Sequence, residues 1–449
     1  MKEVFDYIDS NKDRALEALK TLVRQPSVSA KGEGLRECAE LVRRMLEDLG
    51  ASPKLLEAGE GINPVVVGEI KSKSNPKRTI LFYNHYDVQP PEPLELWESP
   101  PFEPTVKDGK LFGRGAADDK AELVGRLKLT EAFLETCKDV PCNFKFLFEG
   151  EEEIGSIHLK DYRKKYPNAF SADSVIWEFG GIDAKERPEV TLGVKGILYV
   201  ELTAKNANRD AHSSLAAFVE NPAWRLVWAL NSLKKGEKIL IPGWYDDVRP
   251  FSKNEIELIK KWPYPEREVK KELGIKQFIG GMKGLEVKKA YVGKPTCTIC
   301  GLDSGYKGPG SKTVLPKEAR AKIDFRLVPD QDPNDLEKKL RAHLRKKGFS
   351  DISITYSEGE RAARTSPDAP IARAAMKAAS IVYERKPVVL VSSAGTGPMY
   401  LFDSPCVAIG GGYSENRAHA PNENTRIDLF VKGMKWVAET VNTFTELQK

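Results

Sequence analysis

Apolar residues recur at helical spacing near the start of the chain: Leu16, Leu19 and Leu22, then Leu35, Cys38, Ala39, Val42, Met45, Leu46 and Leu49, closed by Gly50. That period predicts two amphipathic helices. From Asn63 the texture changes to short apolar runs, PVVVGEI, RTILFYN, FKFLFEG and SVIWEF, and among them the stretch AELVGRLKLTEAFLETC reads as a strongly amphipathic helix. Strands alternating with helices predict an α/β domain. The same texture returns at the end of the chain, with a helix over 368–385, the strands PVVLVSS and PCVAIGG, and a closing helix from Ile427 to Leu447.

A different region lies between, opening with the alternating strand LYVELTA and running through a Trp- and Lys-rich helical stretch. It closes with ARAKIDFRLV and DISITYS, separated by the helix NDLEKKLRAHLRKKG. Grouped strands with helices predict an α+β unit inserted into the first domain. The expected division is 1–193 and 362–449 for the α/β domain, whose central sheet is mainly parallel and flanked by helices, and 194–361 for the insert.

The 449 residues, 41% hydrophobic and 30% charged, make a globular protein of more than one domain and exclude a disulfide-stapled miniprotein. Lys and Arg total 70 against 65 Asp and Glu, and so small an excess argues against nucleic-acid or anionic-membrane binding. With no apolar run of membrane-spanning length and no secretory leader, the expected compartment is the cytoplasm. Six cysteines are too few for a disulfide framework, so Cys297-Thr-Ile-Cys300 reads as ordinary buried thiols on a strand.

Only five histidines occur: His85, His158, His212, His343 and His419. His85 directly follows the apolar strand TILFY, which puts it at a carboxyl strand end, where open α/β sheets place ligands. Asp87 stands two residues on, positioned to orient the imidazole. Asp118 sits in Gly113-Arg-Gly-Ala-Ala-Asp118-Asp119-Lys120, ahead of the predicted helix, where either aspartate also suits a helix cap. Glu149, Glu151, Glu152 and Glu153 crowd the end of NFKFLF, Glu178 ends SVIW, and His419 follows PCVAIGG by a short loop. At strand ends facing a cleft such carboxylates raise one another's pKa unless a cation is present. Oxygen and imidazole ligands without thiolate suit zinc, manganese or cobalt, and their number exceeds one tetrahedral site, so two divalent ions are expected. His158 and His343 fall on polar helical stretches and read as surface residues.

At these residues the chain resembles the superfamily of dinuclear zinc hydrolases that includes aminoacylase, carnosinase, glutamate carboxypeptidase and succinyl-diaminopimelate desuccinylase. The resemblance spans nearly the whole chain and rests on His85-Tyr-Asp87, Gly113 to Lys120, Glu152-Glu153-Ile-Gly155, Glu178 and His419. It implies that His85, Asp118 and Glu178 hold one metal and that Asp118, Glu153 and His419 hold the other, with Asp118 as the bridge. It also implies a cis peptide between Asp118 and Asp119, an orienting role for Asp87, and Glu152 as the general base that activates a metal-bridging water. The insert would be a lid and dimerisation domain, with His212 reaching the partner's active site to help hold an oxyanion. Arg326 would grip a substrate carboxylate, and Gly395-Thr396-Gly397 would form the substrate loop, although it departs from the more usual Gly-Gly-Ser form.

Glu at position 178 resembles carboxypeptidases and deacylases, whereas the long insert resembles carnosinase-type dipeptidases. The ligand touches the chemistry, so the expected activity is cleavage of an amide bond next to a free carboxylate, in a small peptide or N-acyl amino acid, by a homodimer. A carnosinase-like dipeptidase is the alternative, and a metal-binding protein without catalysis, or a redox protein centred on Cys297 and Cys300, are the further ones.

Overall fold

The computed structural model describes residues 1–447. Its largest sheet orders its strands Lys54–Leu56, Val65–Ile70, Asn143–Glu149, Thr79–His85, Ser174–Trp177, Cys406–Ala408, Pro188–Thr191 and Val388–Leu390, with Gly181–Ile182 attached to Pro188–Thr191. The central strands are mutually parallel: Thr79–His85 lies between Asn143–Glu149 and Ser174–Trp177, and Cys406–Ala408 runs beside Ser174–Trp177. They are buried almost throughout, as runs with no polar alternation require when helices cover both faces. One face carries the larger apolar core, which takes in Leu19, Val42, Phe82, Leu123 and Trp436; the other packs Tyr83, Leu147, Trp177 and Phe402.

Three helices rather than two open the chain, Lys2–Ser10, Lys12–Arg24 and Leu35–Asp48. The first carries only Val4 and Ile8 into the core, too short an apolar pattern to stand out in the sequence. Helix Lys120–Cys137 is not the amphipathic element its pattern predicts, because it is buried on nearly every side. Its charged residues turn to protein instead of water: Lys120 Nζ donates to the carbonyls of Leu22 and Gln25, and Arg126 pairs with Glu122 and donates to the Ile409 carbonyl. The helices predicted at the end of the chain are Pro370–Tyr383 and Ile427–Glu446.

The insert contains a four-stranded antiparallel sheet in the order Thr298–Ser304, Glu318–Leu327, Gly196–Lys205 and Ser353–Glu360. Alternation along the two central strands buries Leu198, Val200, Leu202, Ile323 and Phe325 against helices Pro222–Leu233 and Pro333–Lys346. His343 belongs to this interior and is not a surface residue; its Nε2 lies 3.0 Å from the Ser232 carbonyl, and burial lowers its pKa. His158 is half-buried and its Nδ1 lies 2.8 Å from Glu151 Oε2. Cys297 is buried but Cys300 is exposed, since Thr298–Ser304 is an edge strand with little cover. No helix among the described residues is long and apolar enough to cross a membrane.

Candidate metal centre

The parallel register delivers the first site residues to one edge. His85 pairs with Glu149 as the last residues of their strands, and Glu178 follows Trp177, which ends the neighbouring strand. The chain then turns sharply at Gly180-Gly181, and only glycine fits there: a Cβ on Gly181 would sit 1.8 Å from the Gly412 carbonyl oxygen. This close passage holds the Glu178 loop against the segment that leads to His419.

A small sheet brings in the remaining pieces. Strand Asn424–Arg426 pairs with Lys110–Phe112, so the residues that follow His419 lie beside the Gly113–Asp119 turn. Asp118 thereby meets both imidazoles: His85 Nε2 lies 2.9 Å from its Oδ1 and His419 Nε2 lies 3.1 Å from its Oδ2. His419 Nε2 is also 3.0 Å from Glu153 Oε2. Ligand atoms of His85, Asp118 and Glu153 converge within 4.8 Å, and so do those of His85, Asp119 and Glu178. The peptide between Asp118 and Asp119 is cis.

Asp87 does more than face His85. Its carboxylate oxygens accept from the backbone N–H of Glu152 at 3.2 Å and Glu153 at 3.0 Å, which fixes the turn that carries both glutamates. His85 Nδ1 is 3.1 Å from the Asp87 carbonyl oxygen and 3.4 Å from its carboxylate, so the backbone is the nearer partner.

The electrostatics of the cluster favour a bound cation or proton. Burial, reinforced by neighbouring carboxylates, pushes Glu152 and Glu178 well above the ordinary range and Asp119 up to about 8. Burial opposes ionisation of Asp118 too, but hydrogen bonds from His419 and His85 hold it well below its usual value. Those same bonds, Asp118 first and then Glu153, push His419 up to about 10. Asp119 Oδ1 and Glu178 Oε2 are buried without a hydrogen-bond partner among the described residues. Orphaned carboxylate oxygens beside the His85 imidazole fit a divalent cation, which satisfies oxygen and nitrogen ligands at once.

Other expected residues lie elsewhere. Arg326, on an insert strand, donates from Nη1 to Thr396 Oγ1 at 2.7 Å, so the structure does bring Arg326 to the Gly395-Thr396-Gly397 loop. His212 is exposed and bonds Ser214 and Thr313, both residues of the insert. Glu149 is turned into the protein, accepting from Tyr83 and Ser156, and Glu151 accepts from Asn63.

Three contributors escape a reading of the sequence. Gln89 donates from Nε2 to Glu153 Oε2 at 2.9 Å. Asn84 donates to Asp119 at 2.7 Å. Glu423, fully buried, accepts from Arg114 Nη1 and from the backbone N–H groups of Gly115, Ala117 and Asp118. The only signal for Glu423 is its place four residues after His419, which says nothing of a partner 305 residues away.

The chain is similar to known proteins along most of its length. The profile of Peptidase family M20/M25/M40 matches residues 81–443. The human Beta-Ala-His dipeptidase is 32% identical over 363 residues, covering 77% of this chain and 71% of the human protein. The Cys-Gly metallodipeptidase dug1 of Schizosaccharomyces pombe is 28% identical and covers 97% and 96%. Among solved structures, the M20 family metallo-carboxypeptidase Sso-CP2 from Sulfolobus solfataricus is 41% identical with a TM-score of 0.90, covering 96% of this chain and 99% of that one. The chain belongs to peptidase family M20/M25/M40 and is a metal-dependent hydrolase.

Proposed function

We propose that this enzyme cleaves an amide bond next to a free carboxylate, in a small peptide or an N-acyl amino acid, with two divalent ions, preferably zinc, per chain. The observation that carries the reading is the placement of Asp118 between His85 and His419, with Glu178 on the first side and Glu153 on the second. His85, Asp118 and Glu178 would hold one ion, and Asp118, Glu153 and His419 the other. When bound, the ions supply Lewis acidity and lower the pKa of water at the site.

Glu152 stands beside these ligands without being one. Its carboxylate takes a proton from the attacking water and delivers it to the leaving nitrogen, a task suited to an acid whose affinity for protons burial has raised. Arg326, fixed by Thr396 and by Asp324 at 3.1 Å, presents its guanidinium to the substrate carboxylate. The segment 194–361 is then a lid that carries this anchor.

The lid also supports a homodimer. Helix Pro222–Leu233 exposes Trp224, Val227 and Trp228, and the edge strand exposes Ile299 and Leu302, a large apolar surface beside an unpaired strand edge. In a dimer built on this face His212 would serve the partner's site, where it has substrate to meet. Six free cysteines suit a reducing compartment, the cytoplasm.

A dipeptidase is the second reading, favoured by the names of the human and fission yeast relatives. A panel of dipeptides, longer peptides and N-acyl amino acids, run on protein loaded with zinc, cobalt or manganese and analysed for metal content, separates the two. Cleavage confined to dipeptides selects the second reading; full activity with fewer than one metal per chain refutes both.

A further inference from the structure

A pocket of about 210 Å³ opens beside the metal centre. Its wall includes Ala117, Phe179 and Asn416, which flank Asp118, Glu178 and the His419 loop, and it includes Glu122, Glu189 and Thr191. Register explains how Glu189 reaches it. Thr191 pairs with Ala408, and Ala408 lies level with Trp177, so Glu189, two residues before Thr191 on an antiparallel strand, stands past the carboxyl edge from which Glu178 emerges.

The two acids of the pocket differ in their partners. Glu122 is spoken for, accepting from the Gly411 N–H at 2.6 Å and pairing with Arg126 at 3.0 Å. The Glu189 carboxylate has no hydrogen bond or ion pair among the described residues. Arg187, two residues before it, is held by Asp183 and acts on Glu189 only through space. Burial, with the Asp183 charge, pushes the Glu189 carboxyl up to about 7. Burial, with the Tyr264 and Glu189 charges, raises the Tyr291 pKa, and Tyr291 meets the backbone of Ala394 at the start of the substrate loop.

A mostly buried carboxylate without an ion-pair partner, in a small pocket lined by the chain neighbours of Asp118 and Glu178, has a definite complement. We propose that the pocket is a subsite for an ammonium or guanidinium group carried by the substrate in addition to its carboxylate, and that Glu189 selects for it. This rests on the amide-hydrolase reading. Arg326 takes the anionic end of the substrate and Glu189 the cationic one, so the enzyme prefers amides built on lysine, arginine or a free α-amine over neutral analogues of equal size. A charged hydrogen bond of this kind is worth about tenfold or more in kcat/KM.

Two substrate series test it on the zinc-loaded full chain: N-acetyl-lysine against N-acetyl-norleucine, and dipeptides with lysine against norleucine at the first position. A preference of about tenfold or more for the cationic member in either series, falling towards one in Glu189→Gln and inverting for glutamate-bearing substrates in Glu189→Lys, is the expected result. Which series shows it tells which side of the bond faces the pocket. Equal rates for lysine and norleucine in both series, or a preference that survives Glu189→Gln, overturns the subsite while leaving the hydrolase intact. Cleavage of no member by metal-loaded protein refutes the hydrolase reading, and the subsite with it.

Discussion

Glu423→Gln keeps the size of a buried side chain, removes its charge and turns one of its two acceptor oxygens into a donor. In the parent, Oε2 accepts from Arg114 Nη1 at 2.7 Å and Gly115 N at 3.0 Å, while Oε1 accepts from Ala117 N at 2.8 Å and Asp118 N at 2.9 Å. The glutamine oxygen will turn to the guanidinium, its strongest donor, leaving the amide NH₂ against the Ala117 and Asp118 N–H groups. Two buried donors lose their acceptor, at about 1–3 kcal/mol each. The turn relaxes by moving Asp118 away from the two histidines. Loss of a group that orients a metal ligand typically lowers metal affinity about 10–100-fold. Competition against a chromophoric chelator measures that affinity, and thermal unfolding with and without saturating zinc separates it from a loss of fold. Glu423→Ala, which strands the buried Arg114 charge, should be worse, by about 3–5 kcal/mol. If Glu423→Gln binds zinc as tightly as the parent and melts at the same temperature, the carboxylate does not hold the Asp118 turn.

The remaining predictions concern chemistry and assembly. Glu152→Gln should bind metal like the parent yet lose about 10²–10⁴-fold in kcat, read from steady-state kinetics beside metal analysis; normal turnover removes Glu152 as the base. Arg326→Ala should raise KM for carboxylate-bearing substrates about 10–100-fold with a smaller change in kcat, and should leave esters or amides of the same compounds unaffected. Without metal, His419 and the buried Glu152 and Glu178 all have folded pKa values above their ordinary ones, so the stability they contribute is full below the ordinary value and is lost as pH rises through the folded one. Metal replaces those protons, so the rise in melting temperature on adding zinc should be larger at pH 8 than at pH 6; a smaller rise at pH 8 contradicts the ligand set. Trp228→Glu should turn a dimer into a monomer by light scattering and lower kcat with it, and an unchanged oligomeric state moves the interface elsewhere.

Strand ends, and the residues just past them, were legible because a buried parallel strand is an unbroken apolar run, and its carboxyl end is where the run stops. That is how His85, Glu178 and the Glu152-Glu153 pair stood out. Asp119 was visible only as a helix cap, yet it makes no such bond and accepts from Asn84 instead. Glu423 and Gln89 were silent, since holding a loop or a ligand demands a place in space and no recurring spacing. Helix Lys120–Cys137 misled for a related reason: lysine, glutamate and arginine on one side normally mean water, but here each finds a carbonyl, an amide or another charge. His343 misled likewise, its polar neighbours hiding an imidazole that bonds Ser232 inside the insert.

The length of the insert, which pulls against the Glu178 signal, has a structural use of its own. Helices Lys253–Lys261 and Leu285–Gly293 belong to the insert by sequence, but Ile259, Trp262 and Val292 pack with Val388, Leu390 and Val391 rather than with the insert's own sheet. Val388–Leu390 is the last strand of the large sheet, and an edge strand needs cover. The same region sends Tyr291 to the backbone of Ala394, and Lys195 N–H donates to the Gly395 carbonyl at 2.8 Å, so both hold the loop that presents Thr396 to Arg326. The extra length therefore covers the sheet edge and braces the loop at residues 395–397. Insert length explained by such bracing is no separate sign of substrate class, and Glu178, among the proposed metal ligands, is the residue whose substitution should probe it.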